Sequence, residues 1–121
     1  MTNHIVQDHD ERPVPKAWRE VLKRIADAFV LGNMPGASNI RPVDDETAAI
    51  NAANIADYPD PIGPLCAASW TASICGRFGD HWEVLVDLST VSGETSDLVL
   101  HVRVFDVAGR TMFEPGLIFV P

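Results

Sequence analysis

The amino-acid sequence predicts an α+β fold in which two N-terminal helices pack on a four-stranded antiparallel meander sheet. Three observations carry this expectation. Residues 16–31 repeat their apolar side chains at the three- and four-residue spacing of an amphipathic helix, and residues 81–105 alternate with the two-residue period of paired strands. The helical signals all precede the strand signals, an order that suits helices laid on one face of an antiparallel sheet.

The chain opens on a polar stretch, and residues 1–13 are expected to form a flexible arm ahead of a single α+β domain over 14–121. The arm contains His4, Asp8, His9, Asp10 and Glu11, but no regular element fixes these ligand types, so no metal is expected there. In the first helix Trp18, Val21, Leu22, Ile25, Ala28 and Phe29 share one face, while Arg19, Glu20, Lys23, Arg24 and Asp27 face water. Glu20 and Arg24 are spaced to pair across a turn, and Gly32 is placed to end the helix in the left-handed region. Residues 33–43 read as a loop, with Ile40 and Val43 tucked inward.

The second helix follows Asp44 or Asp45 as N-cap, with an alanine-rich face whose larger apolar groups are Ile50, Ile55 and Tyr58. Three prolines and a glycine in residues 59–66 make an ordered connector. Residues 69–77, SWTASICGR, are predicted as the first strand, with Trp70, Ala72 and Ile74 inward and Ser69, Thr71, Ser73 and Cys75 outward. The next two strands pair Leu88 with Leu98, Val86 with Leu100, Val84 with Val102 and Trp82 with Val104, which gathers the apolar set on one face. Ala108-Gly109 suits a two-residue hairpin loop, after which Val104 faces Phe113, Arg103 faces Glu114, and Pro115-Gly116 interrupts the last strand as a bulge or edge.

The opposite sheet face carries the candidate interface residues Glu83, Leu85, Asp87, Val99, His101, Arg103 and Phe105. Arg103 is expected between Glu83 and Glu114 in a cross-strand charge ladder. An apolar patch of Leu85, Val99 and Phe105 rimmed by charge suits a protein partner or a homodimer. The alternative is a small-molecule binder or enzyme with a pocket between helices and curved sheet, where Asp87 orients His101 as a general base.

A formal net charge of -8 argues against nucleic acid, and no apolar run is long enough to cross a membrane. The polar N-terminus lacks the apolar core of a secretory signal, so a cytoplasmic location is expected, with Cys66 and Cys75 reduced. No G-x-S-x-G elbow, Walker loop, H-E-x-x-H or paired C-x-x-C is present, so neither a catalytic set nor a cofactor is expected.

The pattern W-x2-V-L-K-R-I-A-D-A-F-V over Trp18–Val30, followed by HWEVLVDLST and SDLVLHVRV, resembles small uncharacterised bacterial domains of about this length. More loosely, a small acidic α+β chain is similar to the immunity proteins that neutralise bacterial toxins, which implies an acidic surface that binds a basic protein. The rival pocket-forming architecture is that of the nuclear-transport-factor-like fold.

Overall fold

The computed structural model of the chain describes residues 11–121. The element order is β1 (Arg12–Pro13), α1 (Lys16–Val30), α2 (Asp45–Asp57), β2 (Ile62–Gly63), α3 (Ala68–Ala72), β3 (Ile74–Phe78), β4 (His81–Thr90), β5 (Thr95–Val107) and β6 (Arg110–Phe119). The fold is α+β with an antiparallel sheet, as expected, but it has three helices and six strands in place of two and four. The strand order is β1-β3-β4-β5-β6, with β2 added beside the far end of β4. Of the arm expected over 1–13, residues 1–10 lie outside the described residues, while Arg12 and Pro13 pair with Cys75 and Ile74. No helix among the described residues is long and apolar enough to cross a membrane.

Helix α1 forms where its apolar spacing predicts and buries Leu22, Ile25, Ala26 and Phe29. Gly32 at φ +78° ends it, and the Asn33 N–H returns to the Ala28 carbonyl at 2.8 Å. Its one described i,i+4 ion pair is Lys23 with Asp27, at 2.7 Å, rather than Glu20 with Arg24. Trp18 meets Trp82 and Phe113 edge-to-face at centroid distances of 5.8 and 6.4 Å, fixing α1 on the inner sheet face. The core beneath it contains Val84, Val86, Leu88, Leu98, Leu100, Val102, Val104, Phe113 and Ile118. The even-numbered residues of β4 and β5 are therefore the inner set that the alternation predicts.

Helix α2 is capped by Asp44, whose side chain accepts the Thr47 N–H at 2.7 Å. Its buried residue is Asn51, while Ile50 of the expected apolar face is 40% exposed. The reason lies in what it covers. The Asn51 side chain accepts from Ile118 N–H at 2.7 Å and donates to the Gly116 carbonyl at 3.0 Å, and Asn54 donates to the Ile118 carbonyl at 2.7 Å. The helix thus lies along the outer edge of β6, where backbone groups demand polar partners. Further along that edge Phe113 exchanges backbone hydrogen bonds with Asn39 and Arg41 at 2.9 and 2.8 Å. Ile40 and Val43 are buried, as the loop pattern predicts.

Two expectations are corrected. Residues 69–72 of the predicted first strand belong to α3, with Ser73 closing it, so β3 begins only at Ile74. Alternation carried through a helical turn loses its phase: Ile74 pairs with Leu85 on the outer face, and Cys75 pairs with Val84 and is fully buried inside. Where β3 stops short, the Ser73 hydroxyl accepts the Asp87 N–H at 3.0 Å in its place. The β4–β5 register follows the prediction from Trp82–Val104 to Val86–Leu100 and then shifts, so that Ser89 meets Thr95 and Leu88–Leu98 is not a ladder pair. At the second hairpin Ala108 and Gly109 have φ of 51° and 80°, and the β5–β6 register shifts beside Pro115 and Gly116.

Candidate functional site

Helices α1 and α2 pack on the inner face and along the β6 edge, and α3 packs against the far end of β4, where the Ser69 hydroxyl meets the buried Ser89 hydroxyl at 2.6 Å; the outer face is the one opposite α1. In that face β4 and β5 present three rows, Glu83–Arg103, Leu85–His101 and Asp87–Val99, with Phe105 opposite Met112 of β6. The seven candidate residues therefore lie together, as their spacing predicts. Ile74 and Phe78 of β3 extend the apolar part; neither they nor Leu85 and Phe105 belong to the core cluster, whereas the candidate Val99 is buried.

At its centre is a carboxylate. Glu83 is only 5% exposed, because long neighbours lean over it from both strands. His81 Nε2 meets Glu83 Oε2, His101 Nε2 meets Glu83 Oε1, and Arg103 Nε lies 3.3 Å from Oε2. His81 Nδ1 lies 3.1 Å from Asp80 Oδ1, so carboxylates stand at both nitrogens of that ring. A neutral imidazole has one N–H, and only the imidazolium donates to both. Burial works against a charged His81, but the hydrogen bonds to Asp80 and Glu83 outweigh it and lift its pKa above the ordinary value. Burial likewise opposes an ionised Glu83, and here the two histidines and Arg103 prevail and hold its pKa below the usual carboxylate range.

Around this centre the charges are interlocked. Arg103 Nη1 is 4.0 Å and Arg41 Nη1 3.7 Å from the Glu114 carboxylate, which bears out the Glu83–Arg103–Glu114 ladder. The Arg41 guanidinium lies 4.6 Å from the centre of the Phe105 ring, and His81 packs on the same ring at 5.2 Å. Gly116 allows the approach of β6 to His101: a Cβ there would meet the His101 carbonyl oxygen at 2.9 Å and Nδ1 at 3.2 Å. A surface cleft of about 320 Å³ runs between His101, Arg103 and Glu114 on one side and Pro42–Thr47 on the other.

Asp87 is different. Its carboxylate makes no hydrogen bond or ion pair among the described residues, and burial pushes its pKa above the ordinary value. His101 therefore turns to Glu83 and not to Asp87. The alternation misses His81 and Arg41 as members of the site. The H-x-E spacing of His81 and Glu83 puts both on the same strand face and is the signal for the first. Arg41 arrives from a loop and leaves no signal. Among the described residues no group of three or more His, Cys, Asp or Glu is arranged to hold a metal ion.

Cys66 and Cys75 are both free. The Cys66 thiol lies 3.2 Å from the Ser89 hydroxyl and 3.2 Å from the Gly93 carbonyl.

Residues 26–121 match a family model described as Domain of unknown function (DUF7668). No curated protein and no solved structure matches the chain.

Proposed function

Since the chain belongs to the DUF7668 family, a domain of unknown function, its role is read from its own surface, and we propose that it is a non-catalytic binding protein whose interface is the outer face of the sheet. The observation that carries this reading is a sheet face opposite α1 on which the partly buried Ile74, Phe78, Leu85, Phe105 and Met112 surround the Glu83 cluster. Phenylalanine, methionine and arginine are the residue types that protein interfaces favour, and interlocked charges around an apolar patch suit a protein more than a small solute. Two histidines and Arg103 turn toward Glu83, so neither imidazole of that face is paired with a hydroxyl or thiol nucleophile among the described residues. A cytoplasmic bacterial immunity protein is one form of the reading, in which the net charge of -8 speeds the approach of a basic partner.

In-cell photo-crosslinking tests the face directly. A photoreactive phenylalanine analogue placed at Phe78 or Met112 is expected to give protein adducts, whereas the same group at Glu20, on the exposed side of α1, gives none. Equal adduct yields at all three positions, or none at Phe78 and Met112, would overturn the reading.

A further inference from the structure

Resting on the binding role proposed above, we infer that the occupant of the outer face is a second copy of this chain, stacked so that Asp87 of each copy meets Arg103 of the other. The first ground is charge. Two chains of net charge -8 repel each other at long range, so self-association needs a face that is locally balanced. The outer face is such a place: Arg41 and Arg103 are set against Glu83 and Glu114 at 3.3–4.0 Å. A foreign basic partner calls for uncompensated carboxylates, whereas here the acidic chain has gathered cations.

The second ground is what remains over. Asp87 is a half-buried carboxylate with no cation among the described residues, and burial without a partner costs a charged group free energy. Arg103 has a side chain 51% exposed, with Nε on Glu83 and Nη1 4.0 Å from the Glu114 carboxylate, beyond hydrogen-bond distance. One group on this face lacks a counter-charge, and another has donors to spare.

The third ground is register. Asp87 on β4 and Arg103 on β5 lie at equal steps on either side of the Leu85–His101 pair. A two-fold axis lying in the interface and crossing the strands near that pair exchanges the rows, laying Asp87–Val99 of one copy over Glu83–Arg103 of the other. Stacked sheets sit about 10 Å apart with strands about 30° from parallel, a gap that an aspartate and an arginine span together. Such a contact is isologous: Asp87 meets Arg103 twice, Leu85 is buried at the centre, and the assembly closes at two. Glu83 enters it already paired with its own His81, His101 and Arg103.

Sedimentation velocity across the micromolar range, on the full chain, tests this with Asp87→Arg, Arg103→Asp and the double swap. The wild type is expected to dimerise, each single reversal to weaken the dimer about ten-fold or more, and the double swap to recover it. Because Arg103 also supports Glu83, a wild-type measurement stands beside the variants: on dilution, amide shifts should move at Leu85, Asp87, His101 and Arg103. A wild type that stays monomeric, single reversals without effect, a double swap that fails to recover a folded dimer, or dilution shifts confined to another surface would each overturn the inference. A monomeric wild type that still crosslinks to a foreign protein through Phe78 and Met112 removes the second copy and leaves the binding role intact.

Discussion

His81 shows how much one side chain can be asked to do. It holds Asp80 and Glu83 on its two nitrogens and lies on the Phe105 ring, so its proton belongs to the structure. The pKa of His81 is raised above its ordinary 6.5 in the folded chain, so its contribution to stability is complete below 6.5 and is lost as pH rises through the lifted value. The pKa of Glu83 is lowered from 4.5, so its contribution is present above 4.5 and is lost as pH falls through the depressed value. The melting temperature is thus expected to be highest between these limits, and proton-detected titration should place His81 above an unstructured histidine. A Glu83→Gln variant should bring His81 down, and an unchanged His81 in that variant would disprove the coupling. Only part of this was legible in the sequence. Period-two alternation put Glu83, His101 and Arg103 on one face, but it cannot tell that two imidazole rings fold over the carboxylate and bury it. At the second hairpin, Ala108 holds φ 51°, a region that costs an L-residue about 1 kcal/mol or more. Ala108→Gly is expected to stabilise the chain by roughly 0.5–1 kcal/mol, read as a higher urea midpoint at unchanged slope.

At the scale of elements, helix α2 departs most from the pattern that announces it. Its start was readable, since Asp44 caps Thr47 N–H as an N-cap should. Its burial was not, because a search for apolar stripes passes over a helix whose duty is to satisfy backbone. Asn51→Ala removes an acceptor from Ile118 N–H and a donor from the Gly116 carbonyl, both beside a fully buried position. The expected cost is about 2–4 kcal/mol, well above that of an exposed Asn→Ala, and a change within error in chemical denaturation would contradict this account. Helix α3 was missed for a different reason. SWTASICGR alternates in side-chain size, and a five-residue helix is too short to show a 3.6-residue period against that background. The error carried forward into the phase of β3 and misplaced Cys75.

For the whole molecule, the order of helices before strands and the apolar alternation were enough to give the class, the inner face and most of the β4–β5 register. Strands β1 and β2, of two residues each, lie below what any pattern resolves, and the loop that delivers Arg41 to Phe105 depends on tertiary packing alone. The closed margin of β6 sets a limit on what this chain can build. With Phe113 bound to Asn39 and Arg41, and Gly116 and Ile118 bound to Asn51 and Asn54, no strand of another molecule can add there. The opposite margin is β1, two residues long, one of them a proline. A sheet stopped along β6 cannot grow by strand addition on that flank, which leaves edge-to-edge pairing of the folded chain only the short margin where β1 covers Ile74 and Cys75 of β3.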